Sequence, residues 1–368
     1  MANIYIGLMT GTSADSLDLS AVDFSNKKLK VIGNTNFEIP SQLKKQIKKS
    51  AVSVELDETT INKLDEDLGR FFASRIENFI QSLSIEKKEV IAIGSHGQTI
   101  KHSPNSIPPY SLQIGDPQLM SNKLDMKIIG DFRQDDIEAG GQGAPLSPLF
   151  HREVFKDKEE KRIIINIGGI TNISILNESK LVGFDTGPGN CLLDAWAKEN
   201  EQGDYDSGGK WAKSGEINED LIKSMLNDDY FLKDHPKSTG PDYFNLRWVY
   251  SYLKKIDCDL NPADVQATLT ELTILSLLTS LKTLKAEDYK VYFCGGGIHN
   301  EFMMTRMSTK LNQDVRTTND LGVDPDFLEA ICFAWLAAKR LDNIKFNLKE
   351  ITGSKGTVFL GRIYKPVK

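Results

Sequence analysis

Two stretches of this chain begin alike, and that repetition constrains the fold more than any composition figure. From Ile4 the sequence reads IYIGLMTGTSADSLDLSAVDF, followed by KLKVIG; from Arg162 it reads RIIINIGGITNISIL, followed by KLVGF. Each stretch is an apolar run, a turn bearing glycine and hydroxyl residues, an alternating run and a third short run. That is the pattern of three strands in succession. Two imprecise copies are too few for a solenoid, so the pattern predicts a duplicated domain. Apolar residues at helical spacing from Glu58 to about Leu83 (Ile61, Leu64, Leu68, Phe72, Ile76, Ile80) predict a helix. Further strands are expected in EVIAIGSHG and MKIIGDFR. The expectation is α/β: mixed sheets with helices packed on their faces.

The last third adds a strand at Val291–Cys294 running into three glycines, then a helix with Phe302, Met303 and Met307 on its apolar face. DPDFLEAICFAWLAAKRL predicts a buried helix with Asp324 as N-cap and Pro325 at its first position. The division is placed near Gly130. It gives domains of 1–130, with the C-terminal segment from about 345 to 368 assigned to the first, and 131–344.

A chain of 368 residues is too long for one comfortable core, which agrees with two domains. The net charge of −6 gives no general pull toward nucleic acid or an anionic membrane. The basic run KKQIKKS, Lys44 to Ser50, reads as the solvated face of a short helix. Cys191, Cys258, Cys294 and Cys332 are far apart, with no C-x-x-C, which argues against a zinc site or a disulfide framework. With no basic leader region and no apolar run of spanning length, a soluble cytoplasmic protein is expected, partnered by neither nucleic acid nor membrane.

Three glycine-rich turns close predicted strands: Gly11–Ser13, Gly168–Thr171 and Gly295–Gly297. None fits G-x-G-x-x-G or the Walker phosphate loop. Taken singly, each is an ordinary turn; together, two hairpin turns could grip a polyphosphate while a glycine-rich strand-to-helix corner makes room for a flat base. GFDTGPGN adds Asp185. By its local sequence Asp185 is an Asx-turn or cap residue, or else a carboxylate serving as general base or magnesium partner. Gly187 and Gly189 allow close approach of a ligand to the backbone, and Asn190 opens a helix whose N-terminus favours anions. The polar loops holding His96 and Gln98, Asp116, and Arg133 carry side chains suited to hydrogen-bonding a sugar. His102 and His151 read as structural. Glu329 is either an exposed first-turn glutamate complementing the helix dipole or a buried, partnered carboxylate.

In order along the chain, GLMTGTSADSLD, GSHGQT, GDFR, INIGGITN, GFDTGPGN, FCGGGIHN and DPDFLEAICFAWLA resemble the motifs of the anhydro-N-acetylmuramic acid kinases, over essentially the whole chain. The resemblance implies two duplicated actin-like ATPase (ribonuclease H-like) domains around an ATP cleft. It implies hydrolysis of the anhydro bridge of 1,6-anhydro-N-acetylmuramic acid coupled to phosphorylation of O6, giving N-acetylmuramic acid 6-phosphate and ADP. Asp185 then matches the general base, Arg133 an active-site arginine beside the water and sugar, and Glu329 a sugar-contacting carboxylate. His96, Gln98, Asp116 and Asn190 join the sugar side. Gly11, Thr12, Ser13, Ala14, Asp15, Ser16, Leu17 and Asp18, with Gly168, Gly169 and Gly187, fall to ATP and its phosphates, and Gly295, Gly296 and Gly297 to the adenosine border. Asp15 and Asp18 are the candidates for Mg²⁺, through water. A homodimer is implied as well. The family usually has glycine where this chain has Ser16, and often serine where it has Thr10, which bears on the shape of the turn. A kinase for another anhydro sugar such as levoglucosan is the nearest alternative. An ATP-driven assembly module and a non-catalytic sugar sensor are more distant ones.

Overall fold

The structure is a computed structural model that describes residues 3–25, 29–53, 55–104, 106–176, 181–256, 259–286 and 288–367. Lys28 and Lys180, which open the third run of each repeat, and Cys258 lie outside the described residues. The chain forms two compact units, Met1–Phe150 with Phe327–Lys368, and His151–Asp326.

Among the described residues the strands run as follows. The first unit holds β1 (Ile4–Thr10), β2 (Ser16–Asp23), β3 (Lys30–Glu38), β4 (Val90–Ser95), β5 (Gln98–Ser103), β6 (Tyr110–Ile114) and β7 (Ile128–Gly130). The second holds β8 (Arg162–Ile167), β9 (Ile170–Leu176), β10 (Leu181–Pro188), β11 (Lys290–Cys294) and β12 (Arg316–Thr317). The chain then returns to the first unit for β13 (Phe346–Asn347), β14 (Thr357–Val358) and β15 (Arg362–Tyr364).

The repeat read from the sequence is a repeat of topology. The first unit's main sheet has the order β3-β2-β1-β4-β7, with β15 added at the β7 edge. The second unit's has the order β10-β9-β8-β11-β12. In both, the first three strands pair antiparallel as a meander, and the first strand pairs parallel with the fourth and the fourth with the fifth. Two sheets with one order and one sequence of pairing senses bear out the duplicated α/β fold with mixed sheets flanked by helices.

Each unit builds its own core. In the first, Ile6, Leu8, Leu17 and Leu19 on the sheet pack with Leu68, Phe72, Ile76 and Phe79 of the helix Glu58–Ser82, which Asp57 caps through Thr60 N. In the second, Ile163, Ile165, Ile173 and Phe293 meet Ile274 and Leu277 of the helix Pro262–Thr283 and Met303 and Met307 of the helix Glu301–Leu311. Phe302, expected beside those methionines, is only partly buried. Among the described residues no helix is long and apolar enough to cross a membrane.

The expected division at 130 and 344 is displaced to 150 and 326, for two physical reasons. The loop beyond β7 is tied to the C-terminal segment through fully buried Asp136, which accepts from Gly143 N and from Thr352 Oγ1, both at 2.7 Å. The helix Leu328–Leu341 lies on the first unit's sheet. There Gly7 of β1 and Gly94 of β4 are register partners. A Cβ at Gly7 would stand 1.7 Å from Ala330 O, and one at Gly94 2.1 Å from Phe333 O. These glycines are therefore a seat for a helix backbone that comes from far along the chain. That helix starts at Leu328, later than expected: Asp324 Oδ1 accepts from Asp326 N within a turn, and Pro325 O accepts from Gly295 N. Neither residue caps the helix.

Candidate functional site

In an open sheet with parallel strands, side chains that do chemistry collect beyond the carboxyl ends of those strands. In the first unit β1, β4 and β7 are mutually parallel neighbours, and their ends carry Gly11–Asp15, His96–Gln98 and Arg133. The loops are laced together. His96 N donates to Leu8 O (3.1 Å), Thr10 Oγ1 to Gly97 O (2.9 Å), and Gln98 Nε2 to Gly11 O (3.2 Å). Gln98 is fully buried, so its work in this structure is to hold the hairpin turn.

That turn answers the question Ser16 raised. Ala14 N donates to Gly11 O (3.1 Å), leaving Thr12 and Ser13 exposed at the tip. The left-handed residue is Ala14, at φ 54°, and Ser16 is already the first residue of β2, paired with Glu38. A side chain at position 16 therefore meets no backbone penalty. Ser16 Oγ donates instead to Asp18 Oδ1 at 3.0 Å. Leu17, expected among the phosphate residues, has its side chain fully buried in the core, and the pleat turns it away from Ser16 and Asp18. The basic helix Ser41–Val52 is more than a solvated face: Lys44 forms an ion pair with Asp15, and Lys48 Nζ lies 4.0 Å from the same carboxylate.

Arg133 is held from two sides. Its Nε and Nη2 lie 3.1 and 2.8 Å from His96 Nε2, and its Nη1 donates to Gly143 O at 2.8 Å. His96 is buried, and its Nδ1 lies 2.9 Å from Gly97 O. Burial, and next the Arg133 charge, hold its pKa well below the usual histidine value. It is therefore the neutral Nδ1–H tautomer, with Nε2 as acceptor for the guanidinium. Phe333 packs against the His96 ring at 4.7 Å, so the helix seated on Gly7 and Gly94 also supports the arginine's partner. Glu329 lies in the first turn of this helix, partly buried. Burial keeps the Cys332 thiol protonated, with Glu329 adding to the effect and Arg133 opposing it, which sets both charges near that turn. Asp116 is engaged elsewhere: its Oδ1 accepts from Gln118 N and Leu119 N as cap of the helix Pro117–Leu124. His102 bonds Ser111 Oγ at 3.0 Å, in keeping with a structural role.

In the second unit the glycine turns converge. Gly168 and Gly169 lie between β8 and β9, and their carbonyls accept from Asn190 N (2.8 Å), and from Gly189 N and Cys191 N (2.9 and 3.0 Å). These first N–H groups of the helix Asn190–Glu199 are thereby satisfied within the protein, and the anion site expected at Asn190 N is closed by the hairpin turn. A Cβ at Gly189 would stand 2.3 Å from Gly168 O, which explains the glycine. Gly295, at φ 80°, packs on Asn166 and Ile167 and Gly297 on Ile167, while Gly296 faces open space except for Asn190 Nδ2 at 4.0 Å. Gly168–Gly169, Asn190 and Gly295–Gly297 thus form one neighbourhood.

Asp185 lies in β10, where the register against β9 shifts between Asp185 and Gly187. Such bulges re-aim side chains. The residue is buried, and Oδ2 accepts from Thr239 N at 3.0 Å. Its N–H donates to Lys237 O (3.1 Å), and its C=O accepts from Tyr230 Oη (2.6 Å). Asp185 is therefore neither an Asx-turn residue nor a helix cap. Tyr230, Lys237 and Thr239 were missed in the sequence because their partner is 45 to 54 residues away. HPKSTGPD, a Pro- and Gly-bearing loop around a lysine, was the only local signal.

With the geometry in hand, comparison with known proteins decides the family. A family model described as anhydro-N-acetylmuramic acid kinase matches residues 3–366. The chain belongs to the anhydro-N-acetylmuramic acid kinase family. The anhydro-N-acetylmuramic acid kinase of Pasteurella multocida (strain Pm70) is 42% identical over 367 residues, 99% of this chain and 97% of the relative. The same-named protein of Coxiella burnetii (strain Dugway 5J108-111) is 41% identical over 364 residues, 98% and 97% of the two chains. That of Aliivibrio fischeri (strain ATCC 700601 / ES114) is 40% identical over 363 residues, 98% of each.

Proposed function

We propose that this chain uses ATP to open the anhydro bridge of 1,6-anhydro-N-acetylmuramic acid and phosphorylate O6, giving N-acetylmuramic acid 6-phosphate and ADP. The observation carrying the mechanism is the buried Asp185 carboxylate on a bulged strand, fixed by Thr239 N and by main-chain bonds on both sides. A positioned carboxylate is suited to take a proton from the water that attacks the anomeric carbon. As the C1–O6 bond breaks, O6 departs from C1, stays bonded to C6 and becomes the nucleophile toward the γ-phosphate. Phosphoryl transfer rests on positioning and charge neutralisation. Arg133, oriented by neutral His96, supplies a fork-shaped cation for the sugar and water, with Glu329 as a carboxylate toward the sugar hydroxyls. The exposed tip Thr12–Ser13 offers hydroxyls and main-chain N–H groups to phosphate.

Magnesium is read as the ATP partner. Among the described residues no group of three or more His, Cys, Asp or Glu side chains could hold a metal. Mg²⁺ commonly takes only one or two carboxylates plus substrate phosphates, so the hairpin's acids fit it. Asp15 pairs with Lys44 and Asp18 accepts from Ser16 Oγ, and these two acids are the candidates for the ion or its water shell. When bound, the ion would neutralise phosphate charge. The three relatives named above carry the muramic acid name, which favours that sugar over levoglucosan.

The test is Asp185→Asn, which keeps the shape and removes the base. Turnover of the anhydro sugar should fall at least ~100-fold, within the range a positioned general base contributes. Turnover near wild type would show that Asp185 is not the base.

A further inference from the structure

Among the described residues β10 is the outer strand of its sheet, so half of its main-chain groups have no strand neighbour there. At Asp185 those groups are taken by residues from one other segment. Lys237 O accepts from Asp185 N, Tyr230 Oη donates to Asp185 O, and Thr239 N donates to the carboxylate. The first two residues are also joined to each other. Lys237 Nζ, on a buried side chain, donates to Tyr230 O at 3.2 Å and lies 4.9 Å from the centre of the Tyr230 ring. Asp185, Lys237 and Tyr230 therefore form a closed ring of hydrogen bonds. It stands where a neighbouring strand would otherwise run.

The ring is anchored from behind. Asp228 accepts from Tyr230 N (2.9 Å), Tyr243 Oη (2.6 Å), Trp248 Nε1 (2.9 Å) and Tyr252 Oη (2.8 Å). Burial opposes its ionisation, but these donors prevail and hold its pKa below the usual carboxylate range. The Phe231 ring also lies against β10: a Cβ at Gly187 would stand 2.8 Å from it. A partly buried aromatic cage thus holds Tyr230, and Tyr230 holds the strand at Asp185.

We propose that Tyr230 and Lys237 are positioning residues for Asp185, fixing its main chain so that the carboxylate stays on Thr239 N and aimed at the reacting water. This inference rests on the reading of Asp185 as the base. A displacement of about 1 Å at a catalytic group can cost on the order of 100-fold in rate, so such a clamp is worth its buried lysine. The titratable groups around it are Tyr230 and Lys237 themselves, Tyr243 beside Tyr230, and Asp234 and Lys233 beside Lys237.

Tyr230→Phe removes the hydroxyl and keeps the ring; Lys237→Met removes the ammonium and keeps the stem. Tyr250→Phe is the control, deleting a hydroxyl that bonds Glu199. Each full-length variant is assayed with ATP, Mg²⁺ and the anhydro sugar across pH, with folding followed by urea denaturation. Tyr230→Phe should lower kcat about tenfold, the equivalent of one typical hydrogen bond, with KM for ATP within about twofold. The acid limb of its kcat/KM profile should move up by about half a pH unit or more as Thr239 N loses its hold on the carboxylate. The control should match the wild type. Should Tyr230→Phe prove too unstable to assay, Lys237→Met must show the same split. Wild-type kcat and pH profile in both variants, with Asp185→Asn inactive, would overturn the clamp and leave the base standing. Full activity in Asp185→Asn would overturn both.

Discussion

Lowering the pH from 6.5 to 5.0 should destabilise this protein by a predictable amount, through the buried His96 and His151 and the partly buried His102. Burial pushes His102 and His151 down to about 3 and holds His96 well below the usual value, with the Arg133 charge a further cause for His96 and His102. In the unfolded chain each takes up a proton near pH 6.5. The unfolded state therefore binds more protons below that pH, so stability is complete above it and is lost as pH falls toward the folded-state pKa. At 1.36 kcal/mol per unit, 1.5 pH units cost about 2 kcal/mol per histidine. His102 in the first unit and His151 in the second should each account for a loss of about 2 kcal/mol, and His96 adds to the loss in the same direction. Against a total of roughly 5–15 kcal/mol those are large fractions. Burial raises the pKa of Asp65, Asp135 and Asp136, which act in the opposite sense: their contribution is present at low pH and lost as pH rises through their folded-state values. The assay is the urea midpoint at about pH 7.5, 6.5, 5.5 and 5.0 for the wild type and for His151→Gln, whose comparison cancels the carboxylates. The wild-type midpoint should fall steadily below pH 6.5 and fall less steeply in the variant. A flat wild-type midpoint, or an unchanged slope in His151→Gln, would refute the reasoning.

Two further outcomes follow from the packing. Gly94→Val should cost on the order of 3 kcal/mol or more by urea denaturation, because the new Cβ meets the backbone of the helix Leu328–Leu341, which no rotamer change relieves; a midpoint close to wild type would mean that the helix is not seated there. His96→Phe keeps a ring against Phe333 but removes the acceptor for two Arg133 donors. Charged hydrogen bonds are worth about 1.5–3 kcal/mol, and Arg133 is partly exposed to water, so kcat/KM for the sugar should drop about tenfold with KM for ATP little changed. A steady-state ratio within twofold of wild type would remove His96 from the account.

How much of this was legible in the sequence depended on distance along the chain. The repeated strand–turn–strand starts, the helix Glu58–Ser82 and the glycine turns were readable because periodicity and turn chemistry are local. Gly7 looked like an interruption of an apolar run, and its purpose became visible only with Ala330 against it. Asp185 could be singled out, but the residues that fix it, Tyr230, Lys237 and Thr239, belong to a loop with no periodicity. Asp116 had the composition of a sugar ligand and turned out to cap a helix, since the same oxygen serves either use. The start of the last helix was misplaced because Asp-Pro is equally a turn signal, and here Asp324 and Pro325 serve the turn. The Lys44–Asp15 pair also escaped the sequence, because a basic helix face does not announce which loop it will reach.

The most direct test of the central claim is mass spectrometry of the product formed from ATP, Mg²⁺ and 1,6-anhydro-N-acetylmuramic acid by the wild-type chain. The account predicts a single product that has gained both the elements of water and one phosphoryl group, with the phosphate on O6 and one ADP formed per sugar. A phosphorylated sugar with its anhydro bridge intact, or an opened sugar without phosphate, would contradict it.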